Sequence, residues 1–225
     1  MASLPILGYW NIRGLAQSIR LMLNYAEEQF EDKMYKYGPA PEYSRSDWTH
    51  AKFTLDLDFP NLPYYIDGDR KITQSLAIMR YLARKLELEP GTEDEKIRSD
   101  ITEQQFVDFR TGLTRISYDI NFDNLKEVYL KNLPQALKLF STFLGERKYF
   151  ACQDKITYVD FIAYEALDVH RLLSPECLDA YDNLKSFMDR FEALPTIAKY
   201  MKSKKFLKYP VNGDMARFAS RSSKD

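Results

Sequence analysis

The sequence predicts an α/β module at the amino end followed by an all-helical module. Three observations carry this. Strand-like and helical signals alternate over roughly the first 86 residues, a break falls at Pro90-Gly91, and every periodic segment beyond it has helical spacing. Composition agrees. Eight glycines in 225 residues disfavour glycine-rich nucleotide folds, while 14 Phe, 16 Tyr and 2 Trp supply a bulky core.

The elements follow in order. Leu4 to Tyr9 is a short apolar run ending near Gly8, a buried strand. Leu15, Ile19, Met22, Leu23 and Ala26 then fall on one helical face. Phe30 to Tyr37 is a weaker strand, carried by Met34, Tyr35 and Tyr37. A turn-rich stretch (Gly38, Pro39, Pro41) leads to a short helix over Ser46 to Lys52. Leu62–Ile66 and Lys71–Thr73 flank Asp67-Gly68-Asp69, a hairpin signature. A helix opens near Ser75 with Ile78, Tyr81, Leu82 and Leu86 on its apolar face. The order βαβ, short helix, ββα is that of a thioredoxin-like module.

Beyond Pro90-Gly91, Thr92-x-x-Glu95 is a capping box opening a long helix. Phe106, Phe109, Leu113 and Ile116 form its apolar stripe, opposed by Gln104, Asp108, Thr111 and Arg115, with Tyr118 near its end. Leu125 to Leu144 is helical, with a local bend expected at Pro134. Thr157-x-x-Asp160 is a second capping box, with Ile156 and Phe161 as a hydrophobic staple, and FIAYEALDVHRLL is the expected central core helix. Ser174-Pro175 predicts the start of another helix. Leu184, Phe187, Met188, Phe191 and Leu194 form the last stripe before Pro195, and the tail after Phe218 is expected to fray. The expected division is residues 4–86, a linker at 87–93, and 94–218.

Several function classes are disfavoured. Thirty-two Lys+Arg against 33 Asp+Glu give a net charge of −1, without the basic excess of a general nucleic-acid binder. Cys152 and Cys177 show neither CxxC nor metal-ligand spacing, which fits a reduced, intracellular setting. MASLPILGYW lacks the basic and long apolar regions of a signal peptide, and no apolar run approaches the ~20 residues of a membrane helix. A soluble, cytoplasmic chain is expected, with no membrane or nucleic-acid partner. His50 and His170 are expected to be structural, and no metal site is expected.

A redox module of this kind keeps a cysteine where its first strand meets its first helix. Here that junction reads Tyr9-Trp10-Asn11-Ile12-Arg13, a phenol beside an indole. Taken alone, these are either core aromatics or a site. Gln74-Ser75 sits at a predicted helix N-terminus, an anion site suited to a carboxylate or else an ordinary Ser cap. Arg45, Trp48 and Lys52 share a helix face, a second carboxylate clamp or a solvated surface. Two carboxylate sites flanking a tyrosine fit a dianionic, peptide-like ligand. The Asp108 stripe is either solvated or lines a cleft shared with the first module or another subunit.

ILGYWNIRGLAQSIRL, LDFPNLPYYIDGDRKITQS, YLARK, KITYVDF, CLDAY and YMKSKKFL resemble the mu class of cytosolic glutathione transferases, in collinear order from about Pro5 to Ala216. YGPAPEYSRSDW resembles the extended loop of that class. The resemblance implies the glutathione transferase fold: a thioredoxin-like domain, a linker and an all-helical domain. It implies that Tyr9 donates a hydrogen bond to the glutathione sulfur and that Tyr118 assists the electrophile. The implied glutathione-binding set is Trp10, Leu15, Arg45, Trp48, Lys52, Asn61, Leu62, Pro63, Gln74 and Ser75, with Asp108 reaching across a homodimer interface. Within that set Arg45, Trp48 and Lys52 take the glycine end, Asn61 and the Leu62 backbone the cysteinyl part, and Gln74 and Ser75 the γ-glutamyl carboxylate. A cis bond is implied at Leu62-Pro63. Phe59 is implied to insert into a partner pocket and Arg80 to lie near the two-fold axis. The implied reaction joins the glutathione thiolate to a small hydrophobic electrophile, with glutathione as co-substrate and no cofactor. A glutathione-dependent isomerase and a non-enzymatic carrier of hydrophobic ligands are the alternatives. Val211-Asn212-Gly213, Thr111 and Arg110 depart from the class pattern, predicting a more polar or more open electrophile pocket.

Overall fold

A computed structural model describes residues 3–221. Strand β1 (Ile6–Trp10) leads through a 3₁₀ turn (Gly14–Ala16) into α1 (Gln17–Tyr25) and β2 (Glu31–Tyr35). After the short α2 (Ser46–Ala51) come β3 (Tyr64–Asp67), β4 (Arg70–Thr73) and α3 (Ser75–Lys85). The sheet order is β2-β1-β3-β4, with β1 and β2 parallel and the other pairs antiparallel. The helical part comprises α4 (Glu93–Ser117), α5 (Phe122–Leu144), α6 (Tyr158–Leu173), α7 (Asp182–Glu192) and α8 (Pro195–Met201). Among the described residues no helix is long and apolar enough to cross a membrane.

Strand β1 is central and its Leu7 and Tyr9 are buried. The first helical face differs from expectation at two residues. Ile19, Met22 and Leu23 are buried, but Leu15 is 45% exposed and Ala26, just past the end of α1, is exposed as well. Leu15 lies in the 3₁₀ turn, whose three residues per turn rotate it off the stripe that the α-helical period assigns. At α3 the cap is Gln74, with φ 73°, and Ser75 is the first helical residue rather than the cap.

The Thr92 box forms as expected: the Glu95 N–H donates to Thr92 Oγ1 at 3.3 Å, and Glu95 Oε2 accepts from the Thr92 N–H at 2.9 Å. Asp160 holds the start of α6, accepting from the Thr157 N–H and from its hydroxyl at 2.8 and 3.0 Å. Helix α6 packs against α1 and α4 and is buried along nearly its whole length.

Ser174-Pro175 does not start a helix. The Ser174 N–H instead closes α6 on the His170 carbonyl, and residues 175–180 form successive turns in which Cys177, Asp179 and Tyr181 bond three residues back. The last stripe ends before Pro195 as expected, with α7 closing at Glu192, and Pro195 opens α8, where a missing N–H costs nothing. The tail is also corrected in part. Ala219 accepts from the Val211 and Asn212 N–H groups, and Ser220 is buried on the Ala216 carbonyl. Residues 222–225 of that expectation lie outside the described residues.

His170 is structural, and its tautomer follows from its neighbours. Nδ1 lies 2.6 Å from the Ala166 carbonyl, which can only accept, so Nδ1 carries the proton. Nε2 then accepts from Tyr129 Oη at 2.7 Å, and the ring stacks on Phe109 at 3.7 Å. Burial lowers its pKa to about 4. The unfolded chain binds this proton below about pH 6.5 and the folded chain does not until about pH 4, so stability falls as pH falls through that window. Asp160, raised by burial to about 6, works in the opposite sense over part of the same range. The stability gap between the native chain and His170→Gln is expected to shrink by roughly 2 kcal/mol from pH 7.5 to 5. Urea titrations at each pH check this, and a pH-independent gap contradicts a neutral His170.

Candidate functional site

The β1–α1 junction presents a phenol where a redox module would hold sulfur. Tyr9 is buried, and its Oη accepts a hydrogen bond from the Leu15 N–H at 3.0 Å. That N–H belongs to the helix start, where amide donors lack intrahelical partners. An oxygen that accepts from an amide keeps its own proton to donate, and accepting polarises the O–H. Gly14 permits the approach. Its φ is 41°, and a Cβ built there would stand 2.6 Å from Tyr9 Oη, so a side chain at this position would displace the phenol.

Both modules grip the junction. The Arg13 and Gly14 N–H groups donate to the Pro210 and Val211 carbonyls at 2.9 and 3.0 Å. The buried Arg13 guanidinium meets Glu165 at 3.0 and 2.6 Å and Asp168 at 2.6 Å, both on α6. Loss of one member would leave an uncompensated buried charge, so the pairing fixes the loop that carries Tyr9 against the central helix.

Tyr118 follows α4, and its Oη accepts from the Gly213 N–H at 2.7 Å. Tyr37, two residues past β2, stacks on Trp10 with ring centroids 4.2 Å apart. Burial pushes the pKa of both phenols up, with Tyr9 adding to the rise and the Arg45 guanidinium opposing it in each case. Tyr9, Trp10, Arg45 and Tyr118 are thus brought together, and Tyr37 joins them. Of the departing residues, Val211 is buried in an apolar cluster and Asn212 donates to the Phe218 carbonyl at 3.0 Å. Gly213 is the one that meets the tyrosines, and Arg110 contributes positive charge near Tyr118.

On the other expected clamp, Trp48 is buried, edge-on to Tyr35 at 5.3 Å and stacked near Tyr64 at 6.0 Å. The indole anchors α2 to the sheet and leaves Arg45 exposed and Lys52 half-buried, the latter 5.2 Å from the Phe53 ring. The Leu62-Pro63 bond is cis, as are Ala40-Pro41 and Tyr209-Pro210. Asn61 Oδ1 takes the Leu62 N–H at 2.9 Å, so a peptide pairing with that N–H requires Asn61 to turn away. Gln74 is exposed and Ser75 half-buried at the start of α3, and the Gln74 side chain does not cap the first-turn N–H groups.

Three expected residues lie elsewhere. Asp108 is exposed on α4 and borders an open apolar groove of about 660 Å³ between α4 and α5, lined by Ile101, Phe106, Phe109, Leu133, Phe140 and Phe143. Phe59 is 77% exposed. Arg80 pairs with the buried Glu103 of its own chain at 2.9 and 2.5 Å.

Sequence reasoning missed Gly14 and Tyr37 as site residues. A glycine just before a helix is a signal that points to Gly14. Tyr37 reads as the end of a strand until its stack on Trp10 is seen. Gly213, expected in the pocket from the resemblance alone, arrives from the far end of the chain, and no local signal marks its contact with the two tyrosines.

Family models described as the N-terminal and C-terminal domains of glutathione S-transferase match residues 5–84 and 107–204. The chain is 52% identical to glutathione S-transferase Mu 1 of Rattus norvegicus, covering 96% of this chain and 99% of the relative. It is 53% identical to glutathione S-transferase Mu 3 of Homo sapiens, covering 96% of each. Among solved structures, the glutathione S-transferase Blo t 8 superposes with a TM-score of 0.88 at 32% identity, covering 95% and 99% of the two chains. The pi-class enzyme of Onchocerca volvulus gives 0.83 at 34% identity, covering 95% and 100%.

Proposed function

The chain belongs to the mu class of the glutathione S-transferase family and conjugates glutathione to electrophiles, and from that premise we propose how its residues share the work. The observation that carries the reading is the Tyr9 hydroxyl, held by the Leu15 N–H with its proton free to donate. Tyr9 donates to the glutathione sulfur. A cysteine thiol of pKa ~8.5 is only about 3% ionised at pH 7. A charge-assisted hydrogen bond in a partly desolvated site, aided by the dipole of α1, favours the thiolate. The thiolate attacks the electrophilic carbon, the leaving group or ring oxygen takes the displaced electron pair, and Tyr118 donates to that oxygen where there is one.

Residues 4–86 carry the glutathione site and 94–218 the electrophile pocket and the dimer contacts, with 87–93 between them. Trp10 and Leu15 flank the sulfur. Arg45, Trp48 and Lys52 hold the glycine carboxylate, while Asn61, Leu62 and the cis Pro63 pair with the cysteinyl unit. Gln74 and Ser75 bind the γ-glutamyl carboxylate, where helix N-terminal amides suit an anion. Phe59 fits the α4–α5 groove of a second copy, and the presence in each chain of both an exposed aromatic and an open apolar groove supports this. Asp108, at the rim of that groove, then reaches the γ-glutamyl amine of the partner's glutathione, and Arg80 lies near the two-fold axis. The setting is the cytoplasm, where the glutathione pool resides; both cysteines are free. Conjugation is favoured over isomerisation or ligand carriage by the shared name of the relatives.

The test is an ultraviolet titration of the thiolate band in the complex with glutathione. The bound thiol is expected to ionise at least one pH unit below free glutathione. Ionisation at the value found in buffer overturns the reading.

A further inference from the structure

The electrophile side of the site holds a second phenol that the conjugation reaction leaves without a task. Tyr118 Oη and Tyr37 Oη lie 3.1 and 3.3 Å from one point, the position a Cβ on Gly213 would take. Tyr118 Oη already accepts the Gly213 N–H at 2.7 Å, so its own proton points elsewhere. The Tyr37 ring is fixed by its stack on Trp10, immediately after Tyr9. The absence of a side chain at Gly213 is what lets both hydroxyls approach the same stretch of backbone, and so each other.

We propose that Tyr37 is a specificity-determining residue, which with Tyr118 forms a two-donor site for one oxygen atom of the electrophile and so selects α,β-unsaturated carbonyl compounds. This rests on the conjugation reading above. In the addition, the thiolate sulfur bonds to the β-carbon, the carbon–carbon π pair shifts, and the carbonyl π electrons become the enolate oxygen's charge. Both phenols donate to that oxygen as its charge develops, and water then protonates the α-carbon. Donors placed where charge develops act on the transition state more than on the bound substrate. Burial holds both phenols protonated at neutral pH, so both remain donors.

The test compares kcat/KM for 2-nonenal with that for benzyl chloride, which carries no oxygen. Tyr37→Phe keeps the ring stack and removes one donor. Its enal-to-halide ratio is expected to fall at least fivefold, within the range of one lost hydrogen bond. Gly213→Ala, whose methyl group crowds both hydroxyls while retaining them, is expected to lower the same ratio. A smaller change in the Tyr37→Phe ratio overturns the proposal, even where Gly213→Ala has an effect. Failure of the parent reading is distinct: native enzyme would turn over neither substrate, and bound glutathione would ionise as in buffer.

Discussion

Tyr9→Phe is expected to lower turnover at least tenfold at pH 6.5 while the chain stays folded and glutathione still binds. The phenyl ring remains, so the packing around β1 is kept; Tyr9 is 6% exposed and its ring fills core space. What leaves is one hydroxyl, and with it the partner of the Leu15 N–H. That amide sits at a half-exposed turn where water can replace the phenol. A hydrogen bond to a charged group contributes about 1.5–3 kcal/mol, which corresponds to a loss of roughly tenfold to more than a hundredfold. The loss falls on kcat and not on the KM for glutathione, because the carboxylate contacts lie at other residues and bind ground state and transition state alike. It also narrows as pH approaches ~8.5, where solvent ionises the thiol without help. Steady-state kinetics with a chromogenic haloarene across pH measure all three features. Unchanged turnover at pH 6.5 rejects the role of Tyr9.

Phe59→Ser is expected to raise the dimer dissociation constant by about a hundredfold or more. The side chain is 77% exposed in its own chain, so its loss removes little from the subunit's own core. Far-ultraviolet circular dichroism of the variant is expected to match the native spectrum. In a two-fold interface each substitution counts twice. Burying a Phe side chain is worth about 1.5–3 kcal/mol, and two such losses span roughly two to four powers of ten in affinity. The groove floor, where Phe106 stacks on Phe140 and both meet Phe109, would lose an apolar ring packed over it. Sedimentation at submicromolar concentration reads the shift. A dimer that persists there as in the native protein removes Phe59 from the interface.

The places in the fold of the residues proposed to hold glutathione were legible because they are built from local signals. A strand–helix junction, a hairpin and a helix start each announce themselves over a few residues, so Tyr9, Gln74 and Ser75 stand at element ends that periodicity alone locates. Leu15 failed the same reading since a 3₁₀ turn changes the angular step from 100° to 120° and moves it off the buried stripe. Ser174-Pro175 failed because a Ser that terminates one helix has the same signature as a Ser that begins another.

The sequence by itself determined the order of elements apart from the helix expected at Ser174-Pro175, the two capping boxes, the buried face of α6 and the resemblance to its family, all from the spacing of residues near one another. Only the tertiary structure decided that residues 210–213 close over the β1–α1 loop, that Arg13 is locked to Glu165 and Asp168, and that Tyr37 and Tyr118 face one another across Gly213. These contacts join segments more than 80 residues apart, or depend on what a missing side chain leaves open. No periodicity encodes such meetings; packing of the whole chain does.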